Sequence, residues 1–575
     1  MFYNSPMASV PQRWILRKEV DQNLCLSLAQ KYKLFPLLVK LLLNRELEEF
    51  EFEDYLNPSW DKLHNPFLMK GMSKAVERIL CSLKRKEKIL VYGDYDADGI
   101  TATSLLLRFM QDFKFRSYYY IPHRQNEGYG LNKKAVKKAF HRGIKVIITC
   151  DCGTSSLEEI EFARSLDMEV IVTDHHRVEK AIPTDFIVIN PHQPDCNYPF
   201  KELAGVGVAF KLLQALFLKL DLPVQKLQSY LDLVALGTLA DVVSLKGENR
   251  ILVKLGLDQL STSTTPLGIR ALINAVGLAG RKITEKEVTH ILAPRINACG
   301  RLSLAKTAVK LILTQAPKEA LILSRKLNSE NSSRQSLEKK MCQQAEDMLP
   351  EKLKPVLVLS KENWHTGVIG LVASYIREKY YRPTLVFSIN GDQARGSARS
   401  IPGFSIFKAL EQCKHLITSF GGHEMAAGLT CPRKNIPCLE ERLNTFALEV
   451  LSPEDFIPSL FFDSKLELEN LSLDLLEKLD VLSPFGPGNP PLLFLASSVK
   501  ILSLMPINRG MKIILGSHEG KKEFEAVCFS VFGENERKIA PGDLIDILYV
   551  PFLQKWRGKS SIQLEIKDWR KTCLI

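Results

Sequence analysis

Short apolar runs alternate with helix-sized segments through the first part of the chain. The runs are KILVY (88–92), RSYYYIP (116–122), KVIIT (145–149), EVIVT (169–173) and FIVIN (186–190). Runs of this length, rich in β-branched and aromatic residues and separated by amphipathic segments, are typical of parallel strands joined by crossover helices. The pattern therefore predicts an α/β domain built on a parallel sheet.

The pattern of apolar positions changes along the rest of the chain. It is mostly helical from about 203 to 350, and a second α/β unit begins at PVLVLS (355–360). Beyond about 450, apolar stretches alternate with Gly, Asn and Pro turns, which is typical of an all-β barrel of the oligonucleotide-binding (OB) type. We predict an α/β multidomain fold: an N-terminal helical segment (1–80), a parallel-sheet domain with a helical extension (81–320), a linker helix (321–350), a smaller α/β domain (351–452) and an OB-type barrel (453–575).

Composition adds an electrostatic argument. The 575 residues carry a formal net charge of +12, which suits an anionic polymer such as a nucleic acid, although many basic proteins bind none. No apolar stretch approaches the roughly 18 residues that span a bilayer, and the first residues do not resemble a secretory signal. The twelve cysteines are scattered, which favours reduced thiols. We therefore expect a cytoplasmic protein with no membrane partner.

Chemically capable side chains follow each of the five apolar runs. In open parallel sheets, ligands bind at the carboxyl ends of the strands. So many acids at one edge would repel each other unless cations lie between them. Carboxylates and imidazoles suit Mn²⁺ or Mg²⁺, and two such ions about 3.5–4 Å apart serve phosphoryl chemistry. The side chains, in strand order, are Asp94, Asp96 and Asp98; His123 and Arg124; Asp151; Asp174, His175 and His176; and His192.

Two of these motifs, DYDADG and the Asp174-His175-His176 triplet, each have another interpretation. DYDADG is similar to the opening of an EF-hand calcium loop, but that loop needs a helix before it and a Glu at its twelfth position, where this chain has Leu105. Taken alone, Asp174 is equally well a helix cap and the two histidines a solvated loop. Together with the acids on the neighbouring strand ends, the triplet favours a metal site.

At these residues the chain resembles the DHH phosphoesterase family and, within it, the RecJ exonucleases. Asp174-His175-His176 is the triplet that names the family, DYDADG is similar to its first motif and DCGTS to its second, and LVALGTLADVV contributes Asp241. Asp241 is included in the expected site only because of this resemblance, since it follows a helical segment and the strand-end argument does not apply to it. The resemblance implies catalytic roles for Asp151, Asp174 and His176, with Asp174 orienting the histidines. It also implies that two Mn²⁺ or Mg²⁺ ions are surrounded by Asp94, Asp96, Asp98, Asp151, His175, His176 and Asp241.

The resemblance extends to segments expected to hold DNA. IPHRQNEGYGL, ELAGVGVAFKL and APRINACGRL look like RecJ segments, and RGSARS and FGGHEMAAG look like the DHH-associated domain. Without the resemblance, APRINACGRL would be interpreted as a turn with surface arginines. Glycine-rich turns expose backbone N–H groups to phosphate, although Ala398 stands where the family usually has Gly. The implied DNA-binding residues are Arg124, Arg295, Asn297, Arg301, Gly396, Ser397, Arg399, Gly421, Gly422 and His423.

The resemblance implies a single-stranded-DNA-specific 5′→3′ exonuclease that releases 5′-mononucleotides in DNA repair and recombination. A helicase and a single-strand-binding protein are expected partners, and a monomer suits a self-contained enzyme. Trp556, beside Lys555, Arg557 and Lys559, is a candidate for base stacking, and a buried barrel Trp is the alternative. Two rival functions are a DHH enzyme for short oligonucleotides, which usually lacks the barrel, and a DNA-binding scaffold without metals, which the complete set of acids and histidines disfavours.

Overall fold

The computed structural model describes residues 12–124, 126–262, 264–507, 510–517, 522–529, 539–556 and 559–572. The prediction on Trp556 falls outside the described part: Arg557 is not among these residues, and neither are the side chains of Lys555, Trp556 and Lys559. The chain forms two compact units. One comprises Glu51–Arg334 and Ser483–Pro490, and the other comprises the chain up to Phe50, Gln335–Leu482 and Pro491 onward.

The N-terminal segment is mainly helical, as the sequence indicated, but it begins with a strand. The strand β1 (Arg13–Leu16) pairs in parallel with Ser459–Phe462. Its side chains Trp14 and Leu16 pack against a cluster that contains Phe462 and Leu548. A strand of four residues is too short to show a period of two, so the purely helical prediction for 1–80 was wrong here. The helices are α1 (Gln22–Tyr32), α2 (Pro36–Leu43), α3 (Phe52–Leu56) and α4 (Met72–Arg85).

The first unit contains the predicted parallel sheet. All five apolar runs form strands, and every neighbouring pair is parallel, which confirms that prediction. Central strands are buried on both faces because helices cover them, which is why they appear as continuous apolar runs. In chain order the elements are β2 (Lys88–Gly93), α5 (Ala97–Asp112), β3 (Arg116–Tyr120), α6 (Lys133–His141), β4 (Ile144–Cys150), α7 (Leu157–Arg164), β5 (Glu169–Thr173) and β6 (Ile187–Ile189), and the strand order is β3-β2-β4-β5-β6.

A helical extension completes this unit. Its central helices are apolar on nearly every side because they lie in the core. A Cβ atom on Gly237 would be 2.2 Å from Oγ1 of Thr101, which shows how closely a helix of the extension approaches α5. The elements are α8 (Gly205–Lys219), α9 (Val224–Gln228), α10 (Leu231–Asp241), α11 (Gly247–Leu260), α12 (Leu267–Ala275), α13 (Glu285–Glu287), α14 (Ala293–Leu302), α15 (Lys306–Leu313) and the part of the long α16 (Pro317–Glu346) up to Arg334.

The second unit contains the smaller α/β sheet. Its strand order is β10-β11-β9-β8-β7, in which β7 and β8 are parallel and the other pairs are antiparallel. The elements are β7 (Leu357–Glu362), α17 (Ile369–Tyr380), β8 (Thr384–Asn390), β9 (Gln393–Arg399), α18 (Ile406–Gln412), β10 (Ser419–His423), β11 (Ala426–Pro432) and α19 (Ile436–Val450).

The barrel of the second unit is closed. β14 pairs with both β15 and β17, so the order β14-β15-β16-β18-β17 returns to its start, as in an OB barrel. Of the run KLELE (465–469), only Lys465 is in a strand, and a 3₁₀ turn follows at Leu468–Asn470. The elements are β12 (Ser459–Phe462), β13 (Ser464–Lys465), α20 (Leu473–Leu479), β14 (Phe494–Ile507), β15 (Gly510–Gly516), β16 (Glu523–Cys528), β17 (Leu544–Trp556) and β18 (Lys559–Lys571). Among the described residues, no helix has the length and apolar character needed to cross a bilayer.

Candidate metal centre

The structure brings all seven expected metal ligands together in three overlapping groups. Within each group, one ligand atom from every member lies within 4.8 Å of the others. Asp151 and His175 each belong to two groups, so the three groups are contiguous. The groups are Asp94, Asp96 and Asp151; Asp151, His175 and His176; and Asp98, His175 and Asp241.

The first three acids are positioned where β2 gives way to α5. Asp96 caps this helix, since its Oδ1 accepts the N–H of Gly99 at 3.0 Å. Asp98 lies in the first turn, and its two oxygens accept the N–H groups of Gly205 at 2.6 Å and Val206 at 2.8 Å. These are the first amides of α8, where the helix dipole favours a negative charge. The Asp98 carboxylate is therefore held by two helices: its own backbone lies in α5, and its oxygens accept hydrogen bonds from α8.

Asp151 follows the end of β4 in a strained backbone conformation. Its φ angle is 60°, in the left-handed region that few residues other than glycine adopt. Its N–H donates to the carbonyl of Thr173 at 2.9 Å, which ties the turn to β5. Such strain persists where the surrounding structure fixes it, most often at functional sites. It directs the Asp151 carboxylate to within 3.2 Å of Nε2 of His175.

The Asp174 carboxylate organises the histidine pair. One oxygen accepts the N–H of Thr154 at 2.9 Å, while the other accepts the N–H groups of His175 at 2.8 Å and His176 at 3.1 Å. That second oxygen also lies 2.7 Å from Nδ1 of His176. Burial alone would raise the pKa of Asp174, but the hydrogen bond and charge of His176 hold it below its ordinary value. The same partner raises the pKa of His176 to about 9 against the effect of burial.

His175 and Asp241 complete the centre. Burial lowers the pKa of His175, which favours the neutral imidazole that a metal ion requires. Its Nε2 lies 3.6 Å from Oδ2 of Asp241, the last residue of α10. Burial raises the pKa of Asp241, and the neighbouring histidines oppose this shift.

The donor set fits divalent cations. Three carboxylate oxygens, Oδ1 of Asp94, Oδ1 of Asp151 and Oδ2 of Asp241, are buried with no hydrogen-bond partner among the described residues. A buried carboxylate oxygen without a partner costs free energy that a bound cation would remove. Burial also raises the pKa of Asp94, Asp98 and Asp151, and repulsion between the acids adds to it. Oxygen ligands with two imidazoles suit Mn²⁺ or Mg²⁺.

Two residues outside the predicted ligand set, Tyr129 and Asn190, support this centre. The hydroxyl of Tyr129 lies 3.0 Å from Nδ1 of His176 and 3.2 Å from the carbonyl oxygen of Asp151. Nδ2 of Asn190 donates to the carbonyl of His176 at 2.8 Å. Asn190 ends the fifth apolar run, so the strand-end argument could have included it. Nothing in the sequence distinguishes Tyr129 from other loop tyrosines.

The four DNA-binding candidates of this unit have different surroundings. The Arg124 guanidinium lies 5.0 Å from the centre of the Tyr95 ring, and its charge opposes the raised pKa of Asp94. Oδ1 of Asn297 accepts the N–H of Ala97 at 2.8 Å, next to Asp96. Arg295 donates to Oδ1 of Asn328 at 2.9 Å in α16. The charge of Arg301 acts on the pKa of Tyr95, which burial raises to about 12.

The remaining six candidates lie on β9 and β10 of the other unit, with β11 between these strands. Oγ of Ser397 accepts a hydrogen bond from Nη1 of Arg399 at 3.2 Å. A Cβ atom on Gly370 would be 3.1 Å from that Oγ and 3.3 Å from Nη2 of Arg399, so the first turn of α17 lies against both. A helix N-terminus beside an arginine and a hydroxyl suits an anion. Gly396 belongs to the same strand, and Gly421, Gly422 and His423 belong to β10.

Family models match three parts of the chain. The model described as the DHH family, N-terminal domain, matches residues 88–238; the DHHA1 domain matches 353–449; and the RecJ OB domain matches 462–568. With the centre of acids and histidines at the ends of the strands, the fold defines a metal-dependent phosphoesterase of the DHH class.

Similarity to known proteins over nearly the whole of this chain identifies the family within the DHH class. The chain is 37% identical to the single-stranded-DNA-specific exonuclease RecJ of Bacillus subtilis (strain 168), over 98% of this chain and 71% of that protein. It is 32% identical to the protein of that name in Escherichia coli (strain K12), over 96% and 98%. The crystal structure of RecJ from Thermus thermophilus in complex with Mn²⁺ superposes with a TM-score of 0.83 at 29% identity, covering 97% of this chain and 80% of that one. This chain belongs to the RecJ family.

Proposed function

We propose that this chain is a metal-dependent exonuclease specific for single-stranded DNA, which degrades the strand from its 5′ end and releases 5′-mononucleotides. The observation that carries the proposal is the set of overlapping groups of acids and histidines that share Asp151 and His175. The charge of +12 suits a long polyanion, and an OB barrel is a common module for binding single strands.

Two Mn²⁺ or Mg²⁺ ions would be held by grouped side chains other than His176, which would stay available to the substrate: Asp94, Asp96, Asp98, Asp151, His175 and Asp241. Such ions, when bound, lower the pKa of a coordinated water and neutralise charge on the phosphate. The chain's own contribution is to fix its side chains before substrate arrives: Asp98 by two backbone amides, and the histidines by the hydrogen bonds of Asp174.

His176 is the proposed hydrogen-bond donor to the scissile phosphate. Its Nδ1 is occupied by the anionic Asp174, which favours the tautomer and ring orientation that leave Nε2 for another partner. The side chain of His176 is 49% exposed, so it is accessible to substrate. A donor held in place stabilises charge that develops on the phosphate in the transition state. Arg124 and Arg301 would neutralise the adjacent phosphates.

The second unit would bind the DNA rather than cleave it. Ser397 and Arg399, with the first turn of α17, form a site suited to a phosphate group, and we assign to them the 5′ end of the strand. The glycines and His423 of β9 and β10 would allow close approach of the strand's backbone.

We also propose a cellular setting. The eleven cysteines of the described part of the chain are free, which suits the reducing cytoplasm. There the enzyme would act as a monomer in DNA repair and recombination, with a helicase and a single-strand-binding protein supplying and presenting the strand.

The test follows mononucleotide release from single-stranded DNA labelled at either end, with Mn²⁺ or EDTA. Asp151→Asn is the control, since asparagine tolerates the left-handed conformation and keeps the side-chain volume. Metal-dependent release from the 5′ end, absent with duplex DNA and in the variant, would support the proposal. Cleavage of di- to pentanucleotides alone would indicate a short-oligonucleotide enzyme. DNA binding without hydrolysis would indicate a scaffold.

A further inference from the structure

The segment Ser483–Pro490, here called the 483–490 loop, packs against the chain that follows Asp241. It belongs to the unit with the metal centre, although the chain before and after it belongs to the other unit. The N–H of Leu245 donates to the carbonyl of Pro487 at 2.7 Å. A Cβ atom on Gly486 would be 2.7 Å from Cδ1 of Leu245, and one on Gly488 would be 2.5 Å from Oγ of Ser244. The loop therefore lies in direct contact with Ser244 and Leu245.

These two residues belong to the connection between α10 and α11, which starts directly after Asp241. Val242 has a φ angle of 64°, so the chain turns sharply at the end of α10. The carbonyl of Ser244 accepts a hydrogen bond from Nδ2 of Asn249 at 2.9 Å, and Leu245 is buried. What packs on Ser244 and Leu245 therefore helps to fix the backbone on the C-terminal side of Asp241.

The loop is built to be rigid. Asn489 is fully buried, and it exchanges two backbone hydrogen bonds with Gly486 at 2.8 and 3.0 Å. Its side chain donates to the carbonyl of Pro484 at 2.7 Å. Nζ of Lys254, in α11, lies 3.4 Å from the carbonyl oxygen of Ser483. The loop is therefore closed on itself and attached to α11, so it can hold a neighbouring segment in one position.

Asp241 differs from Asp98, its partner in the same group, in how it is held. Both oxygens of Asp98 accept backbone N–H groups, whereas Oδ2 of Asp241 is buried with no hydrogen-bond partner among the described residues. Asp241 also ends its helix, and helix ends fray unless neighbouring structure holds them. Its position therefore depends on the backbone more than on side-chain contacts.

We propose that the 483–490 loop is a positioning element for the metal centre. By holding the α10–α11 connection, it keeps the Asp241 carboxylate at the ion position that Asp241 shares with Asp98 and His175. This role rests on the proposed metal-dependent function and assigns a task to a segment that contains none of the ligands.

The decisive variant is Gly488→Ala, in which the new methyl group collides with Ser244. Its matched control is Gly277→Ala: the φ angles are +73° and +76°, but nothing lies within 4 Å of a Cβ atom on Gly277. Both variants therefore carry similar backbone strain, and only one presses on the connection. Mn²⁺ binding to the complete chain would be titrated by electron paramagnetic resonance, alongside binding of single-stranded DNA in EDTA.

We expect the wild-type chain and Gly277→Ala to bind two Mn²⁺ ions with the same affinities. In Gly488→Ala, one Mn²⁺ should bind about tenfold more weakly, as in Asp241→Asn, because the change disturbs the support of one ligand. The other ion and DNA binding in EDTA should be unchanged. Equal Mn²⁺ binding in Gly488→Ala and Gly277→Ala would overturn the proposal.

If Gly488→Ala does not fold, a second pair of variants tests the proposal. Gly486→Ala directs a methyl group at Leu245, and Leu245→Ala removes the atoms that it meets. Weaker Mn²⁺ binding in Gly486→Ala, restored in the double variant, would support the proposal, whereas equal binding in both would overturn it. The proposed exonuclease function fails separately, if the wild-type chain binds two Mn²⁺ ions but releases no nucleotides.

Discussion

Gly205 lies so close to Asp151 that a Cβ atom built on it would be 2.7 Å from Oδ1 of that carboxylate. The same glycine donates its backbone N–H to Asp98 at 2.6 Å. A side chain at this position would displace either α8 or the Asp151 carboxylate, because packed interiors have no spare volume. Gly205 is therefore required sterically by two of the acids that form the centre.

Replacing Gly205 by alanine should disable the centre without unfolding the chain. A displacement of the order of 1 Å in a ligand lowers activity by about 10²-fold, so we expect a loss of that size in mononucleotide release and weaker Mn²⁺ binding. Gly207→Ala is the control in the same helix, since the nearest atom to its Cβ is a flexible Leu203 methyl at 3.3 Å. Similar activity in the two variants would contradict the steric argument.

Asp174 should raise kcat for DNA hydrolysis by orienting the imidazole of His176. In Asp174→Asn, the amide NH2 replaces one of the two carboxylate oxygens, so it meets either the N–H of Thr154 on one side or Nδ1 of His176 on the other. The imidazole then loses its orienting anion, and we expect kcat to fall by about 10- to 100-fold, as for other partners of metal-site histidines. Single-turnover hydrolysis at saturating DNA measures this. An unchanged kcat would show that Nδ1 of His176 needs no anionic partner.

The sequence predicted the metal centre where regular geometry links residues that are far apart in the chain. Parallel strands end at one sheet edge, so the residues after KILVY, KVIIT and EVIVT had to meet there. The structure accordingly groups Asp151 with Asp94 and also with His175. Asp241 could be placed only by resemblance to a family, because the end of a helix in an all-helical stretch has no fixed position relative to a sheet.

Other features could not be predicted because they depend on single tertiary contacts. Asn297 was expected to hold DNA, yet its Oδ1 accepts the N–H of Ala97 at the start of α5. Periodicity does not encode that contact. β1 is a strand because Ser459–Phe462, more than 400 residues away, offers it a partner. Nor does the chain around Tyr129 indicate that its hydroxyl meets His176.

The buried pair Lys211–Glu248 should be important for the stability of the first unit. Nζ of Lys211 lies 3.0 Å from Oε1 of Glu248, both side chains are excluded from solvent, and the hydroxyl of Tyr198 also donates to this carboxylate. Glu248→Gln leaves the buried ammonium without a counter-charge, which costs about 3–5 kcal/mol. Urea unfolding in EDTA measures the loss. Lys211→Met with Glu248→Leu is the control, and it should lose less than the single variant; a larger loss would contradict the explanation.

The contact between Trp14 and the barrel should stabilise the second unit only. Nε1 of Trp14 donates to Oδ2 of the buried Asp568 at 2.8 Å, and the Arg570 guanidinium lies 4.2 Å from the ring centre. Trp14→Phe keeps most of the packing but removes the hydrogen bond from Nε1 to the Asp568 carboxylate, at a cost of about 1–3 kcal/mol. We expect a lower melting temperature with unchanged Mn²⁺ affinity, because all the proposed ligands belong to the other unit. Weaker Mn²⁺ binding would contradict this separation.

Removing metal should make the stability of the first unit depend on pH in a direction set by the buried acids. Burial and mutual repulsion raise the pKa of Asp94, Asp98 and Asp151 in the folded state. A carboxyl group whose pKa is raised by folding stabilises the fold below its unfolded pKa, near 4, and loses this contribution as pH rises through the folded value. In EDTA, the contribution of these three groups to stability should therefore fall as the pH rises above about 4.

Neutralising one of these acids tests whether their repulsion causes the loss of stability with rising pH. Asp94→Asn should raise the unfolding free energy in EDTA at pH 8 and flatten its pH dependence, because one repelling charge has gone. Mn²⁺ should reverse the order of the two proteins. An ion at 1,000 times its Kd stabilises the fold by about 4 kcal/mol, and the variant has lost one of its ligands. Denaturant unfolding of both proteins, with EDTA and with Mn²⁺, measures the four values. Asp94→Asn could instead be less stable than wild type in EDTA as well. Other groups of the protein would then already stabilise the charge of the Asp94 carboxylate, and the metal-free site would not need a cation for this.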